Sequence, residues 1–218
     1  MSKVALIAGA SGLVGSSLVE LLLNGAEYSQ VISLQRGPSS LMHPKLKVIQ
    51  IDFDALDAVS LPAITDVYCC LGTTIKKAGS KEAFKKIDYA YPLALAKLGA
   101  SYGAKHFIII TAMGANSSSF IFYSKVKGEL QDDLAKNQVI PEISIVQPSL
   151  LLGHRTDARV GEGIGIKIAT TLNKFFHSGI GIQAADVAKA MYVIGTQYNK
   201  KGTQQYRSSE LKKIAATQ

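Results

Sequence analysis

Short runs of consecutive apolar residues recur along this chain, and the stretches between them return apolar positions every three or four residues. The runs are KVALIAGA (3–10), QVISLQR (30–36), KLKVIQID (45–52), DVYCCLG (66–72), HFIIITA (106–112) and ISIVQPS (143–149). Each has the length of a β-strand, and each is nearly continuous in apolar character rather than alternating. Strands of that kind are buried on both faces, as in a parallel sheet covered by helices. Between the first two runs, Leu13, Val14, Leu18, Leu21 and Leu22 fall on one helical face, and Asn24-Gly25 supplies the stop. KEAFKKIDYAYPLALAKLGASYG predicts a long helix after the fourth run, which Pro92 should kink or divide. A further helix is predicted from about Phe120 to Lys136, after the fifth run. Right-handed crossovers then give an α/β fold, a doubly wound and mainly parallel sheet with its ligand at the carboxyl ends of the strands.

Beyond Pro148 the alternation weakens. GHRTDARVGEGIG is Gly-rich and charged and reads as a mobile loop, followed by a helix through IKIATTLNKFF. Asp186 can cap a helix over DVAKAMYVIG, and SSELKKIAA gives a short terminal one. The expected organisation is a single domain over 1–218, with 149–185 a small substrate-side extension of loop and helix.

Composition narrows the class. The 218 residues are 47% hydrophobic and 18% charged, which suits a globular α/β domain. The opening MSKVALIAGASG could mimic a signal peptide, but Gly9 and Gly12 interrupt its apolar run and no cleavage region follows. No apolar stretch is long enough to span a bilayer, so a soluble, cytoplasmic protein is expected. Cys69 and Cys70 are adjacent and point to opposite faces of a strand, which excludes a routine disulfide and fits a reducing compartment. His43, His106, His154 and His177 have no ligand spacing, so no metal site is expected. The formal net charge of +8 is scattered, with a loose cluster from Lys76 to Lys86. A surface that attracts a phosphorylated ligand accounts for it as well as nucleic acid does.

GASGLVG places Gly9, Gly12 and Gly15 as G-x-x-G-x-x-G between a strand and a helix. Gly9 permits the tight turn, Gly12 lets the backbone approach a pyrophosphate, and Gly15 allows close packing of helix on strand. Amide groups at the helix start then face the anion, as in a dinucleotide site of the Rossmann type. At the end of the second strand SLQRGPSS carries Gln35 and Arg36 and no carboxylate. A carboxylate would repel a 2′-phosphate and a guanidinium would bind it, so NADP(H) is expected ahead of NAD(H). Asp52 and Phe53, ending the third strand, are placed to flank the adenine, with helix capping by Asp52 or Asp54 as the alternative.

Tyr123 and Lys127 stand at i and i+4 in FYSKVKGE, so on a helix both project from one face. A tyrosine is a poor base near neutrality, but a neighbouring ammonium favours its phenolate. Lys125 lies about 200° around the helix and is expected on the surface. Thr111, twelve residues before Tyr123, would emerge at the carboxyl edge of the sheet and steady a carbonyl oxygen; Ser117, Ser118 and Ser119 are alternatives.

AGASGLVG, CCLGTT with Ala78-Gly79, KHFIIITAMGAN, YSKVKGE and QPSLLLG together resemble the short-chain dehydrogenase/reductase superfamily. More narrowly they resemble its atypical branch related to the Tat-interacting-protein oxidoreductases, over about Lys3 to Ile214. That resemblance implies an NADPH-binding Rossmann fold, with Gly9, Ser11, Gly12, Leu13 and Val14 at the pyrophosphate and Arg36 at the 2′-phosphate. It also implies that Cys70, Leu71 and Gly72 line the cofactor, that Tyr123 and Lys127 are the catalytic pair, and that Gln147, Pro148 and Leu150 close the nicotinamide end. The chain departs from the pattern at Thr111-Ala112, where relatives often carry serine.

The expected activity is hydride transfer between NADP(H) and a carbonyl or alcohol substrate. The alternative is a non-catalytic NADPH-binding redox sensor or scaffold acting through the region after Pro148. The expected partner is a small carbonyl compound, with no specific nucleic acid and no membrane; a homodimer or a protein partner stays open.

Overall fold

A computed structural model describes residues 3–153, 181–197 and 200–217. The apolar runs become β1 (Lys3–Ala8), β2 (Tyr28–Gln35), β3 (Leu46–Gln50), β4 (Asp66–Cys69), β5 (His106–Ile110) and β6 (Glu142–Gln147). With β9 (Gly202–Arg207) they form one seven-stranded sheet in the order β3-β2-β1-β4-β5-β6-β9, every pairing parallel. The strand order reverses between β1 and β4, and this opens the crevice in which α/β folds hold ligands.

The period of two along each strand divides the core. Ala5, Ile7, Tyr68 and Ile108 face the layer that contains α1 (Leu13–Asn24), α6 (Ala184–Gln197) and α7 (Ser208–Ala215). Leu6, Ala8, Val67, Cys69, Phe107 and Ile109 face the layer of α4 (Tyr91–Ser101) and α5 (Phe122–Asn137). Burial on both faces is why these strands read as unbroken apolar runs.

The long segment before Pro92 is divided, as its sequence indicates. After α2 (Ile75–Ala78), short α3 (Lys81–Lys85) passes into a π-helical turn over Lys86–Ala90, and α4 restarts at Tyr91 with Pro92 in its first turn. Proline has no N–H to donate one turn back, and the wider π turn absorbs that loss. Asp88 sits in this turn with no solvent exposure.

Sequence periodicity misses three strands. β7 (Leu150–Leu152) and β8 (Gly181–Gln183) form a small parallel pair, so part of the predicted loop region 149–185 is ordered strand. The sheet-edge strand β9 has mostly half-exposed polar residues and therefore lacks an apolar run. The predicted loop from His154 and the helix through IKIATTLNKFF lie outside the described residues. No helix among the described residues is long and apolar enough to cross a membrane.

Candidate active site

The turn after β1 has the geometry its glycines predict. Gly9 has φ +88°, and a Cβ there would come within 2.5 Å of the Cys70 carbonyl oxygen. Gly15 has no room for a Cβ because the Gly9 carbonyl lies against it. Gly12 donates its N–H to that carbonyl at 3.0 Å and caps α1 without any side-chain cap, and the first turn carries no acidic residue. The positive end of α1 thus opens, uncovered by side-chain oxygen, into the crevice.

Two hollows with a shared wall occupy the crevice. One, of about 340 Å³, is bordered by Gly9, Ser11, Arg36 and Phe53. The other, of about 230 Å³, is bordered by Leu13, Val14, Thr111, Tyr123, Lys127 and Leu151. Gly12, Cys70, Leu71, Gly72, Thr73 and Lys77 line both. The structure therefore brings together the glycine turn, the end of β2, the end of β4 and the face of α5 that carries Tyr123. Arg36 is exposed and has no carboxylate partner among the described residues. Phe53 is 5% exposed and packs on the Tyr91 ring at a centroid distance of 5.4 Å. Asp52 is used as a cap: its Oδ1 accepts from the Asp54 N–H at 3.0 Å and starts the 3-10 turn over Phe53–Ala58.

Tyr123 is positioned by aromatic packing. Its ring lies 5.5 Å from that of Phe84, which is fully buried and also contacts Phe122 at 6.0 Å. An ion pair between Lys85 and Glu129, 3.1 Å, ties α3 to α5 beside them. Gly128 lets the loop before α5 lie directly on the helix, because a Cβ there would overlap the backbone of Asn116 and Ser117. Lys125 is exposed and Lys127 only 3% exposed, so the two lysines separate as helical geometry requires.

Lys127 has a partner that spacing along the sequence did not reveal. Its Nζ lies 2.7 Å from Asp88 Oδ1, an ion pair not aligned as a hydrogen bond, while Asp88 Oδ2 accepts from the Thr73 N–H at 2.8 Å. Gly72 borders this pair, and a Cβ there would be 3.5 Å from Asp88 Oδ1. Burial holds the Asp88 carboxyl above its ordinary range, and the Lys127 ammonium opposes that shift. The clue available in the sequence was a carboxylate four residues before the helix-dividing Pro92.

Several expected positions differ in detail. Thr111 borders the crevice, but its Oγ1 accepts from Gln131 Nε2 at 2.8 Å, a contact no motif signalled. Ser117, Ser118 and Ser119 do not border it; Ser119 Oγ accepts from the Ile121 N–H instead. Leu150 is 45% exposed and points elsewhere, and its neighbour Leu151 borders the crevice, because adjacent residues of a strand face opposite sides. Gln147 is bonded to Gln131 and lies with Gln205 in a separate hollow. Cys69 and Cys70 are both free, and burial pushes the Cys69 thiol up to about 12.

Residues 39–179 match the HIM1 family. Protein HTATIP2 of Rattus norvegicus is 32% identical over 196 residues, covering 87% of this chain and 80% of that protein. Protein FMP52, mitochondrial, of Candida albicans is 35% identical over 175 residues, covering 78% of this chain and 75% of that protein. Among solved structures, an oxidoreductase of the short-chain dehydrogenase/reductase family from Burkholderia thailandensis superposes with a TM-score of 0.70 at 18% identity. The superposition covers 97% of this chain and 93% of that one. The relatives correct one expectation. Yeast proteins sharing the FMP52 name are called mitochondrial, which overturns the cytoplasmic assignment. Reduced cysteines and a soluble composition do not distinguish the two compartments. By sequence the chain belongs to the HIM1 family, and its fold is a Rossmann-type parallel sheet like that of the short-chain dehydrogenase/reductase on which it superposes.

Proposed function

We propose that this chain is an NADP(H)-dependent oxidoreductase that interconverts a carbonyl compound and its alcohol. The observation that carries the reading is a pair of hollows with a shared wall, one bordered by Arg36 and the other by Tyr123, at the uncapped start of α1. The residues fit the cofactor from end to end. The Leu13 and Val14 amides and the α1 dipole suit a pyrophosphate, and the glycine turn leaves space for it. Arg36 offers paired donors to a 2′-phosphate, and Phe53 offers an aromatic edge beside the adenine. Cys70, Leu71 and Gly72 form the wall leading to Tyr123.

A bound nicotinamide supplies or takes the hydride. Tyr123 gives its hydroxyl proton to the substrate oxygen during reduction, or removes the alcohol proton during oxidation. Lys127 stands one helical turn from Tyr123 and lines the same hollow. Asp88 fixes that lysine from behind. Thr111 contributes a hydroxyl at the same wall.

Calorimetric titration tests the cofactor assignment: NADPH should bind more tightly than NADH, and no preference between them would count against it. The sensor reading shares this cofactor site and differs in needing no proton donor. Tyr123 beside Thr111 and Lys127 in the lining of one hollow favours the enzyme.

A further inference from the structure

Gln131 extends the line of Tyr123 and Lys127 along α5, at i+8 and i+4, and is 5% exposed. Its Nε2 donates to Thr111 Oγ1 at 2.8 Å, and its Oε1 accepts from Gln147 Nε2 at 2.9 Å. The same Gln147 nitrogen reaches Gln205 Oε1 at 3.4 Å. The direction of this chain decides what Thr111 can do. An amide nitrogen only donates, so the Thr111 oxygen spends a lone pair on Gln131 and its proton must point elsewhere.

Inside the protein that proton has a poor acceptor. The Val146 carbonyl is 3.4 Å from Oγ1, beyond the usual O–H···O range, and already accepts the N–H of Thr111 itself at 2.8 Å. An oxygen in the crevice that Thr111 borders is the better acceptor. We propose that Gln131 is a positioning residue: held by Gln147, it presents the Thr111 hydroxyl as a hydrogen-bond donor to the substrate oxygen beside Tyr123. The proposal rests on the oxidoreductase reading for its substrate and on the amide chain for its geometry.

The geometry is tested without turnover. In the side-chain amide ¹⁵N–¹H spectrum of the full chain, the NH₂ pair that vanishes in Gln131→Glu belongs to Gln131. Thr111→Val should move that pair, because its acceptor is gone, and Thr111→Ser should restore it. A Gln131 pair unmoved by Thr111→Val would mean the chain runs the opposite way, and would overturn the proposal. Turnover tests the consequence, with 9,10-phenanthrenequinone as the probe carbonyl and NADPH as reductant. In Gln131→Glu the carboxylate accepts from both neighbours and turns the hydroxyl proton away from the crevice. We expect kcat to fall about 100-fold with the NADPH dissociation constant unchanged. Gln131→Met leaves the hydroxyl free to rotate and should lose less. Equal losses in the two variants would overturn the positioning role. A wild-type chain that binds NADPH but leaves the quinone unreduced would count against the oxidoreductase reading, while the amide spectrum still decides on Gln131.

Discussion

Lys127 Nζ and Asp88 Oδ1 lie 2.7 Å apart, with the two side chains almost wholly withdrawn from solvent. The lysine that stands one turn from Tyr123 is thereby anchored to the π-helical turn before Pro92. Removing one partner leaves an uncompensated buried charge, whereas removing both does not. Asp88→Ala should therefore cost about 3–5 kcal/mol in urea unfolding, and adding Lys127→Met should recover most of it. A loss below about 1 kcal/mol in the single variant would contradict the assigned pairing.

Arg36 borders the hollow at the glycine turn without a carboxylate partner among the described residues. Arg36→Ala should weaken NADPH about tenfold or more, the loss expected for charge-assisted hydrogen bonds to a phosphate, and change NADH little. Equal losses for the two nucleotides, measured by titration, would remove the 2′-phosphate argument.

His106 lies at the opposite edge of the sheet. Its Nε2 is 2.8 Å from Ser144 Oγ and its Nδ1 is 3.9 Å from the Glu142 carboxylate. Burial, reinforced by the Lys3 ammonium, lowers its pKa to about 4. In the unfolded chain a histidine titrates near about 6.5, so between these values the unfolded state binds the proton and the folded state does not. His106 stability is thus fully present above that range and is lost as pH falls through it, by up to about 3 kcal/mol. Asp66 and Glu142 at this edge are raised by burial and act in the opposite sense, so the comparison must be with a variant. Urea unfolding followed from about pH 7 down to about pH 4 should show wild-type stability falling faster than that of His106→Gln. Parallel profiles would contradict the buried neutral histidine.

The sheet was legible because strands buried on both faces must be apolar throughout, and the glycine turn because Gly9 and Gly15 each answer a backbone contact. The Tyr123-Lys127 face was legible because helical geometry fixes it locally. What escaped was long-range or polar. Asp88 meets Lys127 across thirty-nine positions of sequence, and no local pattern encodes that contact. The Gln131 amide looks like that of a solvated glutamine until β5, β6 and α5 pack together and bring it to Thr111 and Gln147. β9 lies at the sheet edge, where half-exposed polar residues are tolerated and the apolar signal disappears. Thr111 was found by its place at the end of β5, but the partner that orients its hydroxyl was not.

The measurement that bears most directly on the proposed activity is Tyr123→Phe, which removes one oxygen and keeps the ring that packs on Phe84. NADPH affinity should be nearly unchanged, and NADPH-dependent reduction of the probe quinone should fall by about 100-fold or more. A Phe variant that binds NADPH and turns over at the wild-type rate would contradict the assignment of Tyr123 as the proton donor.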